Sequence, residues 1–136
     1  MGLALALPLL VVVLGVYNFI AFTNIGSLEV AALHFSLLSG ATVSITWGQL
    51  IILAALMLLF VEVLKSARAS NTAIVDHILS TLVFIAALIE FMVVREAGTP
   101  TFLVLVVICL IDVVAGYTVS IRHARRDFAL GGRYDH

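Results

Sequence analysis

Two carboxylates interrupt long apolar stretches of this sequence, and they are the residues best placed to do chemistry. Asp112 lies within the apolar run 101–121, and Glu90 lies near the end of the run 73–94. An ionisable side chain inside an apolar membrane helix costs about 2.5–3.5 kcal/mol, so it is by default a hypothesis for a functional site. The chemistry open to both groups is reversible binding of a proton or a cation. The structural alternative is that each carboxyl group fixes helix packing through a hydrogen bond or an ion pair.

Other polar side chains lie at similar depths, counted at about 1.5 Å of helix rise per residue. The further candidate intramembrane sites are Asn18, Gln49, Ser80 and Thr81. Ser80 and Thr81 fall within reach of Asp112, somewhat nearer the inner edge of the membrane. The two amides fall at the depth of Glu90, each on a different run, and Arg95 is close enough along the chain to pair with Glu90.

A third group of polar residues falls at the inner ends of the apolar runs. The members of this inner-edge charge cluster are Glu62, Lys65, Asp76 and His77. Glu62 and Lys65 are three residues apart and share one helix face. Asp76 opens its run, where the helix dipole favours an acidic residue. We expect a solvated, mutually paired cluster at the level of the lipid head groups.

The sequence carries none of the common signatures of an enzyme. The four histidines are scattered, with no two spaced as an intramembrane metal-binding pair, and no glycine-rich phosphate loop or activated nucleophile is present. The single cysteine, Cys109, lies inside an apolar run and is expected to pack as a small apolar residue. A formal net charge of −1 argues against nucleic acid as a partner. We therefore predict a protein without catalysis, metal or cofactor.

The composition and the lengths of the apolar runs predict the helices that position these residues. The chain has 136 residues, of which 63% are hydrophobic and 11% charged, and globular domains have roughly 25% charged residues. A bilayer core needs about 20 apolar residues in a helix. Four runs meet that length, at residues 3–22, 47–64, 73–94 and 101–121. The fold class predicted is an all-α, four-transmembrane-helix bundle forming a single domain over residues 1–136.

The placement of positive charge predicts the orientation of these spans. Six of the seven lysine and arginine residues lie after the second run or in the tail 122–136, and Arg95 is the exception. Because positive loops stay in the cytoplasm, both termini are predicted to be cytoplasmic. In the tail, Arg122, Arg125 and Arg126 are candidates for contact with anionic lipid head groups. The alternative is that these arginines only set the topology.

The polar connection between the first two runs shows a period-two pattern. Leu33, Phe35 and Leu37 alternate with polar residues before Ser39-Gly40, and the alternation resumes over residues 42–47. Alternation on both sides of a glycine-containing turn predicts a short extracytoplasmic β-hairpin at about 28–47. The alternative is an irregular loop with a re-entrant helical turn.

Three segments resemble parts of uncharacterised four-span inner-membrane proteins of proteobacteria. They are residues 39–48 (SGATVSITWG), the pair Asp76-His77, and residues 111–117 (IDVVAGY) running into 124–128 (ARRDF). The resemblance implies a multi-pass protein of the bacterial inner membrane and implies nothing about chemistry.

These observations favour a non-catalytic accessory or scaffold protein that associates with itself or with a larger membrane complex. The alternative is a proton or cation channel or transporter that uses Asp112 and Glu90. A subunit of a small-molecule exporter is a third possibility, supported only by the paired acids. In each case the lipid bilayer is the chain's main surrounding, and a homo-oligomer or a larger assembly is expected.

Overall fold

The computed structural model describes residues 8–23, 27–67 and 73–131. Four α-helices and one two-stranded sheet make up this part of the chain. In order they are α1 (Leu10–Thr23), β1 (Ala31–Ser36), β2 (Thr42–Thr46), α2 (Trp47–Ala67), α3 (Ala73–Val93) and α4 (Pro100–Gly131), with a single 3-10 turn at Arg95–Ala97. Residues 3–7 of the first predicted span, Arg68, and the last part of the tail lie outside the described residues.

Three of the helices are long and apolar enough to cross a membrane. These segments are Trp47–Ala67, Ile74–Val93 and Pro100–Thr118. The prediction of long apolar helices is thereby confirmed for the second, third and fourth runs. The described part of the first run forms the shorter helix α1, which has 14 residues and begins two positions after Pro8.

The helix α4 continues well past its apolar segment. The predicted end of the span is residue 121, but the helix extends to Gly131. At 3.6 residues per turn, that extension is nearly three turns. Arg122, Arg125 and Arg126 all fall in it, and the side chain of Arg125 is exposed.

The helix α4 is also the centre of the bundle. It packs against α3 on one side and α2 on the other, while α1 packs mainly on α2. Of the residues in its apolar segment 39% are buried, against 17% in α2 and 6% in α3. The buried side chains of α4 include Phe102, Leu105, Ile108 and Cys109. The helix α3 is therefore an edge helix that is covered mainly by α4.

The predicted hairpin between α1 and α2 is present. Leu33 pairs with Ile45 and Phe35 with Val43 in an antiparallel register. The turn closes with Gly40 donating its backbone N–H to the Leu37 carbonyl at 2.9 Å, and Gly40 has φ +85°. Glycine adopts that left-handed conformation without the steric penalty that a Cβ imposes, which is why the turn falls at Ser39-Gly40.

The second strand leads directly into a helix without a linker. Thr46 ends β2 and Trp47 begins α2. The backbone N–H of Trp47 bonds to the Val30 carbonyl, and that of Gly48 to the Leu28 carbonyl. These bonds fix the base of the hairpin to the first turn of α2. We refer to this side of the bundle as the hairpin end, and to the opposite side, where Lys65 lies, as the Lys65 end.

Candidate functional site

Asp112 lies inside the bundle. Its side chain is only 4% exposed, and Ser80 of α3 is buried beside it. The Ser80 hydroxyl is within hydrogen-bonding reach of the Asp112 carboxyl group. This contact joins α3 to α4 near the middle of their packed surface.

Thr81, the other candidate neighbour of Asp112, is used differently. Its hydroxyl donates a hydrogen bond of 2.9 Å to the His77 carbonyl, one turn earlier on the same helix. A hydroxyl that bonds to its own helix backbone needs no partner elsewhere. Of the two hydroxyls, the structure brings only that of Ser80 to the carboxyl group.

Glu62 is more enclosed than a solvated head-group cluster would allow. It is 4% exposed and accepts a hydrogen bond of 2.6 Å from the backbone N–H of Leu9. Lys65 lies 3.4 Å from the same carboxylate oxygen, which is the predicted pair. Glu62 is drawn to the start of α1 because the first amides of a helix lack hydrogen-bond partners and favour a nearby negative charge. Glu62 therefore joins the start of α1 to α2.

The charged residues of the Lys65 end lie close enough to Asp112 to act on it electrostatically. Glu62, Lys65 and Asp76 all contribute to the field at the Asp112 carboxyl group. Asp112 therefore lies within electrostatic range of the inner-edge charge cluster.

His77 occupies a tight position between α3 and α4. Its ring meets the Tyr117 ring edge-on, with centroids 3.9 Å apart and an interplanar angle of 80°. A Cβ built on Gly116 would lie 2.8 Å from His77 Nδ1. Both ring nitrogens of His77 and one carboxylate oxygen of Asp76 are buried without a hydrogen-bond partner. These are polar atoms that helix packing alone does not explain.

The hairpin end has its own polar contact, between Asn18 of α1 and Glu90 of α3. The Asn18 amide is within hydrogen-bonding reach of the Glu90 carboxyl group. Arg95 follows in the 3-10 turn with an exposed side chain, and among the described residues no ion pair joins it to Glu90. The expected ion pair is therefore replaced by an amide–carboxyl contact between two helices.

Gln49 does not join that contact. It is exposed and forms a capping box with Thr46: the Thr46 backbone N–H donates to Gln49 Oε1 at 3.0 Å, and the Gln49 N–H donates to Thr46 Oγ1 at 3.2 Å. Such reciprocal bonds satisfy the free amides at a helix start. The structure therefore gives Gln49 a capping role at the start of α2. The signal that would have found its role is the spacing Thr46-x-x-Gln49 just before an apolar run.

Tyr17 is the polar residue whose position the sequence reasoning missed. The structure buries its side chain completely. Its hydroxyl lies 2.6 Å from Thr99 Oγ1 and donates to the Glu96 carbonyl at 3.1 Å. Its ring packs on Phe102 with centroids 4.9 Å apart. Tyr17 therefore ties α1 to the start of α4.

Within residues 8–23, 27–67 and 73–131, no three His, Cys, Asp or Glu side chains are grouped so that they could hold a metal ion. Comparison of the chain with protein families, with curated proteins and with solved structures finds no match.

Proposed function

We propose that this chain is a non-catalytic integral membrane protein that works by associating with copies of itself or with a larger membrane complex. The proposal rests on the contacts that the polar side chains of the apolar helices form. Some of these side chains pair between segments that are distant along the chain, as Glu62 does with the Leu9 backbone N–H and Tyr17 with Thr99, and these pairs help to hold the bundle together. What the bundle then offers to its surroundings is an apolar outer surface.

Polar contacts join distant segments of the chain. Leu9–Glu62 and Tyr17–Thr99 are hydrogen bonds, and Asn18–Glu90 and Ser80–Asp112 are side-chain contacts between helices. A hydrogen bond between membrane helices contributes about 0.6 kcal/mol on average. Contacts of this kind therefore help to fix the relative positions of the helices.

The edge helix α3 supplies the surface for association. Its side away from α4 carries large exposed apolar residues at spacings of four, three, four and three: Ile78, Leu82, Ile85, Ile89 and Met92. A repeat of this kind forms one continuous stripe, which suits packing against another membrane helix. We therefore expect α3 to be the contact helix.

Cross-linking tests this assignment. In a Cys109→Ser background, Ile85→Cys places a thiol on the stripe of α3, and Met57→Cys places one on an exposed face of α2 as the matched control. In native membranes, a thiol cross-linker should trap a dimer or a defined larger species through Ile85→Cys and not through Met57→Cys. A monomer at both positions, together with a monodisperse monomer in nanodiscs, would overturn the proposal.

Proton or cation binding is the second candidate function. It is favoured by the unpaired Asp76 and His77 atoms in the neighbourhood of Asp112. A conducting path through one chain would also have to reach Glu90, which is ten residues from Ser80 along α3, or about 15 Å. The buried apolar residues Ala87 and Leu105 lie at intermediate positions on the two helices. That apolar layer is why we place association first.

We also propose a place and an orientation for the chain. Lys65 and Arg125 lie towards the end of the bundle opposite the hairpin, and Arg95 lies at the hairpin end. The positive-inside rule then puts both termini in the cytoplasm and the hairpin outside. The sequence resemblance supports the bacterial inner membrane as the location. In intact cells, a membrane-impermeant thiol reagent should label Ser39→Cys and leave Arg125→Cys unlabelled; the reverse result would invert the topology.

A further inference from the structure

The hairpin has one apolar and one polar face. The register places the pairs Leu33–Ile45 and Phe35–Val43 on one face, and the pairs His34–Ser44 and Ser36–Thr42 on the other. The apolar face is only partly covered: Leu33 is 50% exposed and Phe35 46% exposed. At the tip, the side chain of Leu38 is fully exposed. An isolated hairpin of two strands is marginally stable in water, so this face needs a surface to lie on.

The bundle itself does not provide that surface. The helix that the hairpin mainly contacts is α2, at the base of the hairpin. Because β2 enters α2 without a linker, the hairpin is held beside the first turn of a membrane-spanning helix. Trp47 opens that turn, and Phe22 lies near the end of α1, with both side chains about half exposed. Exposed aromatic side chains of this kind are typical of the boundary between head groups and acyl chains.

The charges of this region point to lipid rather than to an aqueous protein surface. Between Glu29 and Glu62 the chain has no lysine, arginine, aspartate or glutamate. The strands and turn of the hairpin, residues 31–46, therefore offer no acidic or basic side chain to a soluble partner, and they meet no large electrostatic penalty at a membrane surface. The outer edges of both strands lack ladder partners in this two-stranded sheet. Those backbone groups need water, which excludes the hydrocarbon core and leaves the head-group boundary.

We propose that the hairpin is a membrane-surface anchor. Its apolar face rests in the boundary between head groups and acyl chains of the outer leaflet, and its polar face, with His34, is turned to water. This inference rests on the proposed membrane insertion of the helices. The anchor would fix the tilt of α2 relative to the bilayer, because strand and helix are directly joined.

Site-specific fluorescence quenching tests the anchor in reconstituted liposomes. In the Cys109→Ser background, a small environment-sensitive fluorophore is attached to Phe35→Cys on the apolar face or to His34→Cys on the polar face. Leu56→Cys, at an exposed position on α2, serves as the membrane control. We expect lipid-borne nitroxide to quench the Phe35 site several-fold more than the His34 site. Aqueous iodide should show the opposite order.

Three other outcomes would contradict the anchor, each for a different reason. If iodide quenches both hairpin sites equally while Leu56 remains quenched by lipid, the anchor is wrong and membrane insertion stands. If Leu56 is also open to iodide, insertion itself fails. If the Phe35 site is protected only at high protein-to-lipid ratio, a second copy covers the face and the lipid assignment is overturned. The same quenching by nitroxide and iodide can be measured at Leu38→Cys and Ser39→Cys, which lie at the tip and leave both strands unchanged.

Discussion

The imidazole of His77 on α3 lies directly over Gly116 on α4, and a Cβ at Gly116 would come within 2.8 Å of Nδ1. The same ring meets Tyr117 edge-on at 3.9 Å between centroids. The close approach of α3 and α4 at the Lys65 end therefore depends on the absence of a side chain at residue 116. Small residues serve this purpose at many membrane helix interfaces, because they let two backbones come near each other.

Gly116→Ala should weaken the contact between α3 and α4. Overpacking of a tight contact costs about 1–3 kcal/mol, and the His77 ring can move only partly. Gly15→Ala is the matched control, because a Cβ there meets nothing within 4 Å. We expect a lower free energy of unfolding in mild detergent for Gly116→Ala and no loss for Gly15→Ala. Adding His77→Ala to Gly116→Ala should recover part of the loss; equal stability of the two glycine variants would contradict this contact.

Gln49→Ala should destabilise the start of α2. It removes the acceptor for the Thr46 backbone N–H, and loss of a capping contact costs about 0.5–2 kcal/mol. Gln49→Glu keeps an acceptor oxygen and should retain most of the stability. Ser44→Ala, on the polar face of the hairpin, is the control. Hydrogen exchange of the first-turn amides of α2 should rise in Gln49→Ala alone, and unchanged exchange there would refute the capping role.

Glu62→Ala should cost more than Lys65→Ala, although the two residues form one ion pair. Removing the carboxylate leaves the partly buried Leu9 N–H without an acceptor, which costs about 1–3 kcal/mol. Removing the partly exposed lysine costs about 0–1 kcal/mol, as for other exposed pairs. Thermal unfolding in detergent checks the order of the two variants. Equal losses would mean that Glu62 acts only through Lys65 and not on the start of α1.

Tyr17→Phe should measure the contribution of the Tyr17 hydroxyl to the free energy of unfolding. The variant keeps the ring contact with Phe102 but loses the bonds to Thr99 and to the Glu96 carbonyl. A net loss of about 0.5–1.5 kcal/mol is expected. In a double-mutant cycle with Thr99→Val, the two losses should not add, because they remove one shared bond. Strict additivity would show that the hydroxyls do not interact.

The long apolar helices and the hairpin could be read from the sequence because each has a strong local pattern. Runs of about 20 apolar residues have few structural alternatives, and alternation around Ser39-Gly40 favours paired strands. These features depend on periodicity within one element, which the sequence displays directly.

The partners of the polar residues could not be read in the same way. Depth along a helix does not say which way a side chain turns, so Gln49 was placed beside Glu90 although it caps its own helix. The burial of Tyr17 also depends on the fold, because the loop before α4 offers its hydroxyl two hydrogen-bond partners, the Glu96 carbonyl and the Thr99 hydroxyl. Glu62 was expected to be solvated, and only the fold brings the start of α1 to it.

The central claim is that the buried carboxyl groups hold helices together and carry nothing across the membrane. Proton flux in liposomes with an imposed pH gradient tests it most directly, using the wild-type chain, Asp112→Asn and Glu90→Gln. The account predicts wild-type flux equal to that of empty liposomes, with both variants less stable to unfolding than the wild type. Flux above empty liposomes that disappears in a folded Asp112→Asn variant would contradict it.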